Sequence, residues 1–253
     1  MHHLGNELGP ATAPPAGPVR TLRYDQPVAV IGDIHGRADL LARLLLKLPA
    51  GIPVLVTGDV GDRGPDTRGV IDQLVARGAT GARGNHDEWL CTWANGGGFD
   101  PFAISPKMGG LATLLSYGVV GLDPVAIEAQ AHRVPPDHAL WLSELAVAVD
   151  LEVMGAPFWV IHAGVPATVN LRGLAFREVV PHLAARHPAT LLWPSNDPAE
   201  MLAVDRPVIM GHVRRRAPAD FGSVIAIDTG AGTYTGGALT AVVLPERKFV
   251  SVV

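Results

Sequence analysis

The sequence predicts an α/β fold, and three observations carry that prediction. Three strand–loop–helix units follow one another in the first half of the 253-residue chain. Each of their loops presents carboxylate, amide or imidazole side chains where a strand ends. The second half is strand-rich. Strand–helix–strand order implies right-handed crossovers and a mainly parallel first sheet, which gathers the loops at one carboxyl edge.

Composition agrees with a folded domain. Hydrophobic residues make up 48% and charged residues 17%, a balance that suits a compact chain and not a disordered one. The 29 glycines and 22 prolines, about a fifth of the chain, point to many loops. A net charge of −4 gives no sign of a nucleic-acid partner, and Arg214-Arg215-Arg216 reads as a solvated face. The single cysteine, Cys91, excludes an intrachain disulfide and a cysteine-rich metal site, which fits a reducing compartment and makes the cytoplasm the expected location. No apolar run is long enough to span a bilayer, so no membrane partner is expected, and the first residues lack the order of a signal peptide. Gly9 to Pro18 reads as a mobile tail. Residues 1–22 are therefore taken as tail and 23–253 as the domain, with folding expected to begin near Gln26.

Pro27 to Ile31 is a continuous apolar run of the kind buried in a sheet, followed at once by Gly32-Asp33-Ile34-His35-Gly36 and by leucines at helical spacing from Asp39 to Leu48. Ile52 to Val56 begins the second unit. Its loop, Thr57-Gly58-Asp59-Val60-Gly61-Asp62-Arg63-Gly64, puts two carboxylates and a guanidinium at the strand end, and Asp66 is the expected N-cap of a helix to Ala76. Read blandly, this is a polar loop before a helix. The third unit runs from a weak strand, Thr80 to Arg83, through Gly84-Asn85-His86-Asp87 into a helix carrying Trp89, Leu90 and Trp93. Asp33, Asp59 and Asn85 stand 26 residues apart in turn, a regularity hard to ascribe to three separate helix caps. Their mixture of oxygen and imidazole donors suits manganese, iron or zinc.

Gly96 to Gly110 is a glycine- and proline-punctuated excursion that either overhangs the cleft as a lid or makes simple turns. Asp137 to Leu145 predicts a short helix capped by Asp137, and His132 and His138 read as surface or structural. The runs Leu145 to Val153, Phe158 to Ile161, Pro207 to Met210, Ser223 to Ile227, Ala238 to Leu244 and Phe249 to Val253 read as antiparallel strands. Two of them end in histidine beside glycine, in Ile161-His162-Ala163-Gly164 and Met210-Gly211-His212. With the first cluster these complete a second metal position, Asp59 bridging while Asn85, His162 and His212 hold the other ion.

The ordered motifs Gly-Asp-x-His-Gly, Gly-Asp-x-x-Asp-Arg-Gly, Gly-Asn-His-Asp, His-Ala-Gly and Gly-His resemble those of the calcineurin-like metallophosphoesterases. The Asp-Arg-Gly resembles the phosphoprotein-phosphatase branch in its bacterial form, related to serine/threonine phosphatases and symmetrical diadenosine tetraphosphate hydrolases. Ile227-Asp228-Thr229-Gly230-Ala231 and Gly236 to Ala241 are similar to that group's closing segment. The resemblance implies a central β-sandwich of two mixed sheets flanked by helices. It implies two divalent ions, manganese first and iron, zinc, cobalt or nickel also acceptable. Asp33, His35 and Asp59 would hold one ion; Asp59, Asn85, His162 and His212 would hold the other. Arg63 would grip phosphate oxygens, His86 would be the general acid and Asp62 would orient it. Two such ions stabilise the attacking and leaving oxygens and make hydroxide available near neutral pH.

The implied activity is hydrolysis of phosphomonoesters, of a phosphorylated protein or a small phosphate ester. Two alternatives are hydrolysis of dinucleoside polyphosphates and a metal-bound phosphoprotein-binding protein without turnover. One departure bears on the substrate: no arginine follows Leu192-Trp193, where relatives often carry a second phosphate clamp. Arg172, Arg177, Arg186, Arg206 and Arg214 remain open as substitutes.

Overall fold

The structure, a computed structural model, describes residues 18–165, 176–193, 197 and 206–253. Alternation along the strands decides its architecture. In β2 (Val28–Ile31), Ala29 and Ile31 face one apolar cluster while Val28 and Val30 face another. The same alternation divides β3 (Val54–Val56), whose Leu55 turns away from Val54 and Val56. A strand buried on both faces needs cover on both, and here helices supply one side and a second sheet the other. On the helical side lie α1 (Ala38–Lys47), which buries Leu40, Leu41 and Leu44, and α2 (Thr67–Ala76), which buries Val70, Ile71 and Leu74. As expected, Asp66 caps α2 by accepting from the Gly69 N–H at 2.8 Å.

The third unit consists of β4 (Thr80–Gly81) and α3 (Asn85–Ala94), followed by a short 3₁₀ turn (Pro101–Ile104). Three helices follow, α4 (Leu111–Ser116), α5 (Pro124–Glu128) and α6 (Pro136–Glu144). Asp137 lies in the first turn of α6, and Pro135 occupies the capping position assigned to it from sequence. His138 is buried and bonded to the Tyr117 hydroxyl at 3.0 Å and to Asp72 at 2.9 Å, a structural histidine.

The remaining elements are β5 (Ala148–Val153), β6 (Ala156–Ile161), α7 (Phe176–Arg186), α8 (Ala189–Leu192), β7 (Val208–Met210) and β8 (Ala219–Asp220). The chain closes with β9 (Val224–Ala226), β10 (Leu239–Leu244) and β11 (Lys248–Val252). One sheet has the order β11-β10-β2-β3-β4, and the other runs from an N-terminal strand β1 (Val19–Tyr24) through β5, β6, β7 and β9 to β8. Phe158 and Val160 of β6 pack into the inter-sheet cluster with Val28 and Val30, while Trp159 and Ile161 pack with Val180 of α7 and Leu191 of α8. The result is a β-sandwich of two mixed sheets with helices outside each, the fold class expected.

Two expectations need correction. The expected tail ends at residue 22, yet β1 begins at Val19 and pairs in parallel with β5. Arg20 and Arg23 hid it by interrupting the apolar pattern. In the fold they suit an edge strand, Arg20 donating to the Thr80 hydroxyl at 2.9 Å while Leu22 and Tyr24 pack inward. The second half is not antiparallel throughout: β5–β6 and β10–β11 are, but β6–β7 and β7–β9 are parallel. The stretch from β6 to β7 includes α7 and α8, and a crossover of that length returns the chain in the same direction. No helix among the described residues is long and apolar enough to cross a membrane.

Candidate metal centre

Parallel strands end on the same edge, and that edge collects the polar loops. Asp33 and His35 follow β2, and Asp59, Asp62 and Arg63 follow β3. Asn85 and His86 open α3, His162 follows β6, and His212 follows β7. The nine metal-ligand and catalytic candidates named from sequence therefore lie at one floor. Holding them there strains the backbone: of the seven non-glycine residues with positive φ among those described, five are His35, Asp59, Asp62, Arg63 and His212. Close approach demands glycine at two neighbours. A Cβ on Gly84 would come within 2.1 Å of Asp59 Oδ1, and one on Gly211 within 1.9 Å of Asp33 Oδ1.

Asp59 stands in the middle. Its Oδ2 lies 3.8 Å from His35 Nε2 and from His86 Nε2, and its Oδ1 lies 3.4 Å from His162 Nε2. Oδ1 also accepts from the His86 N–H at 3.0 Å, at the positive end of α3. Asp87, third in that helix, accepts from the backbone N–H groups of Asp59 (2.8 Å), Val60 (3.0 Å) and Gly84 (2.8 Å), so it locks the second loop to the third.

The imidazoles are turned by backbone carbonyls. His35 Nδ1 lies 2.9 Å from Gly61 O and His162 Nδ1 lies 3.0 Å from Thr57 O; a carbonyl can only accept, so the proton is on Nδ1 and the Nε2 lone pair faces inward. His212 Nε2 is 3.2 Å from Trp193 O, which leaves the Nδ1 lone pair toward His162 Nε2 at 3.1 Å. Asn85 Oδ1 meets the same His162 nitrogen at 3.0 Å. Three acceptors thus converge with no proton among them. Such a donor set fits a divalent cation, and two overlapping groups, His35 with Asp59 and His86, and Asp59 with His162 and His212, could each hold one.

Electrostatics follow from burial. Burial pushes Asp33 well above the usual carboxylate range, with the Asp228 and Asp59 carboxylates adding to it. Burial also drives His35 well down, lowers His162, and together with His162 brings His212 to about 4, shifts toward the neutral form that a metal ligand needs. Asp59 moves the other way: burial would raise it, but the surrounding His162, His86 and His35 outweigh burial and hold it below its ordinary value. Burial disfavours a charged His86, yet Asp59 and the hydrogen bond that His86 donates to Asp62 prevail and raise it. Burial first, and Asp59 second, lift Asp87 to about 7.

Asp62 is held by three side-chain donors. Its Oδ2 faces His86 Nδ1 at 2.7 Å and accepts from Trp89 Nε1 at 3.0 Å, while its Oδ1 accepts from the Thr113 hydroxyl at 2.7 Å. Arg63 donates Nη2 to His86 Nε2 at 2.9 Å, Nη1 to the Thr233 hydroxyl at 3.3 Å, and Nη1 also to His35 Nε2. Its own N–H is held by Gly109 O at 3.1 Å, so the excursion from Gly96 to Gly110 forms a wall of the cleft. Sequence reasoning missed Thr113, Trp89, Asp87 and Asp228. Asp87 and Asp228 lay in motifs already noticed; Thr113 had no local signal.

Above the floor is a cleft of about 470 Å³ whose cations are Arg63, Lys107 and Arg214. Of the arginines left open as a second clamp, Arg214 lines this cleft, whereas Arg206 is paired with Asp150 and stacked over Trp159. Arg172 and the side chain of Arg177 lie outside the described residues. Beside the cleft, sharing Asn85, Met108 and Trp193 with it, is a groove of about 260 Å³ lined by Trp89, Phe102, Glu88 and Asp100.

Comparison with known proteins gives a consistent answer. The sequence profile described as calcineurin-like phosphoesterase matches residues 26–215. A curated relative, the symmetrical bis(5'-nucleosyl)-tetraphosphatase of Ralstonia nicotianae, is 36% identical over 74 residues, 28% of this chain and 26% of the relative, so the match spans about a quarter of that protein. The crystal structure of a candidate diadenosine tetraphosphatase superposes with a TM-score of 0.62 at 23% identity, covering 93% of this chain and 97% of the other. A cold-active protein-tyrosine phosphatase from a psychrophilic Shewanella gives 0.57 at 15% identity, covering 92% and 79%. A serine/threonine phosphatase of Saccharomyces cerevisiae gives 0.56 at 15%, covering 94% and 83%. At these identities the structural likeness is one of fold.

Proposed function

The chain belongs to the calcineurin-like phosphoesterase family, and on that premise we propose that it hydrolyses phosphomonoesters, of phosphoserine or phosphothreonine or of small molecules, with two divalent ions. One observation carries the reading: Asp59 stands between two sets of nitrogen donors, its Oδ2 toward His35 and its Oδ1 toward His162. Asp33, His35 and Asp59 would hold one ion, and Asp59, Asn85, His162 and His212 the other. When bound, the ions supply Lewis acidity to the phosphoryl oxygens and a nucleophile at neutral pH. Manganese is the ion assigned first, on the mixture of oxygen and nitrogen donors. The cytoplasm is the assigned location, on the single cysteine.

The chain's own groups do the rest. Arg63 turns its fork from the imidazoles to two phosphoryl oxygens, a bidentate grip that strengthens as charge develops there. His86, held by Asp62 through Nδ1, presents Nε2 to the leaving oxygen and gives it a proton. The aromatic groove next to Asn85 receives the leaving group.

A second reading, hydrolysis of dinucleoside polyphosphates, is favoured by Lys107 and Arg214, cations beyond what a single phosphoryl group needs. The names of the Ralstonia relative and of the candidate diadenosine tetraphosphatase reported above agree with it, whereas the other two structures are named as protein phosphatases. The test is phosphate release by chelator-stripped protein, with and without added Mn²⁺, from a phosphoserine peptide, nitrophenyl phosphate and diadenosine tetraphosphate. Release of inorganic phosphate only with added ion is expected. Full activity in the stripped protein would overturn the proposal, and nucleoside diphosphate as the sole product would move it to the second reading.

A further inference from the structure

The groove beside the cleft is built along a helix. Asn85, Glu88, Trp89 and Thr92 line it at helical spacing, so it follows one face of α3 for about 10 Å from a residue assigned to the second ion. The excursion supplies further lining through Phe102 and Met108, and Trp193 stands with Asn85 and Met108 where groove and cleft join.

Charge changes sign between the two spaces. The cleft holds Arg63, Lys107 and Arg214, whereas the ionisable groups lining the groove are two carboxylates, Glu88 and Asp100. Lys107 lies 6.0 Å over the Trp193 ring but lines the cleft and not the groove. The polar groups of the groove are already engaged by the chain itself. Glu88 is paired with Arg83 at 3.0 Å, Asp100 accepts from the Phe102 N–H at 2.9 Å, and the Thr92 hydroxyl donates to Glu88 O at 2.9 Å. Recognition there falls to the rings. Trp89 is fixed, its Nε1 donating to Asp62 at 3.0 Å and its ring meeting Trp93 and Phe99 at centroid distances of 6.2 and 6.0 Å. Phe102 is 44% exposed and Trp193 39%, and large rings left in water beside a cavity suit an apolar guest. At about 260 Å³ the groove is smaller than a site for a drug-sized ligand and suits a single ring.

We propose that this groove selects aryl phosphomonoesters: the flat ring of the leaving group lies against Trp89, Phe102 and Trp193, and Glu88 and Asp100 disfavour a leaving group that carries a second anion. Phe102 and Trp193 are then specificity-determining residues. Hydrolysis gives a phenol and inorganic phosphate, water supplying an oxygen to phosphorus and a proton to the phenol. A tyrosyl side chain and a small phenol present the same ring. The inference rests on the phosphomonoesterase reading and names its substrate class.

The experiment uses the Mn²⁺-loaded full chain and phosphonates, which bind without being cleaved and so keep leaving-group reactivity out of the comparison. Inhibition constants are measured for methyl-, benzyl-, cyclohexylmethyl- and 4-carboxybenzylphosphonate on wild type, Phe102→Ala and Trp193→Leu. Alongside, kcat and KM are measured for phenyl phosphate and for peptides of one sequence carrying phosphotyrosine or phosphoserine. Both replaced rings are exposed, and Trp193 meets His212 through its backbone carbonyl, so metal content should not change. In wild type benzylphosphonate should bind about 10-fold more tightly than the other three, an advantage that should shrink to about 2-fold in each variant. KM for phenyl phosphate should rise about 3–10-fold in the variants, with that for the phosphoserine peptide little changed. A rise shared by the phosphotyrosine peptide assigns the ring to a tyrosyl residue, and one confined to phenyl phosphate assigns it to a small phenol; both support the proposal. Equal inhibition by benzyl- and methylphosphonate in wild type, a ring advantage untouched in both variants, or binding of the cyclohexylmethyl or carboxybenzyl compound as tight as that of benzylphosphonate would overturn this inference and leave phosphomonoester hydrolysis standing. No turnover of any of the three esters would overturn that reading and this one with it.

Discussion

Thr113→Val tests whether the acid of the reaction is held from outside the motifs. Valine keeps the shape of threonine and removes one hydroxyl that is fully buried at α4. That hydroxyl donates to Asp62 Oδ1 at 2.7 Å, accepts from the Asp62 N–H at 2.9 Å and meets the Thr67 hydroxyl at 2.8 Å. The Asp62 N–H keeps Thr67 at 3.2 Å, but Oδ1 is left with no donor. A hydrogen bond to a charged group contributes about 1.5–3 kcal/mol, and in a chain of this size each kcal/mol moves Tm by about 2–4 °C, so Tm should fall by roughly 3–12 °C. With one side of Asp62 loose, His86 should be less well aimed, and kcat for an alkyl phosphomonoester should drop about 10-fold. A nitrophenyl ester, whose leaving group needs no proton, should lose less. The assay is kcat on both esters with metal content measured alongside. Equal losses on both esters with loss of metal would refute the chain of reasoning from Thr113 through Asp62 to His86.

Two further substitutions separate the roles of neighbouring residues. His86→Ala should keep its ions while kcat falls about 10²–10⁴-fold, and Asn85→Ala should lose the second ion; elemental analysis of both variants checks this, and equal metal loss would make His86 a ligand. Arg63→Lys should raise KM for phosphomonoesters and weaken inhibition by inorganic phosphate, because an ammonium cannot reproduce the fork. If phosphate inhibition stayed the same while metal content dropped, Arg63 would be a loop pin held by Gly109 O and not a clamp.

The inner floor was legible because its chemistry requires particular residue types next to glycines, and those pairs stand out in any chain. Asp33, His35, Asp59, Asn85, His162 and His212 needed no more than strand ends to be brought together. Strand direction was harder to read. Nothing in Val208 to Met210 says which way it runs; that depends on the connection before it. The support around Asp62 was illegible for another reason, since Thr113 is 51 residues away and an isolated threonine in a helix carries no mark of its partner. Val19 to Tyr24 was overlooked because edge strands tolerate charge, which weakens the apolar pattern on which such readings depend.

The interlocked glycines limit how this protein could diversify. A Cβ on Gly36 would lie 2.5 Å from Gly64 O, and one on Gly64 would lie 2.2 Å from His35 O, so the first two loops touch backbone to backbone. No slot remains between them for a new side chain. Selection for a different substrate would have to leave the floor as it is and work on the outer wall, where Phe102, Lys107 and Arg214 face open space. An old centre could then be carried unchanged into new specificities by rewriting a few rim positions, while drift at the floor would be removed as loss of function.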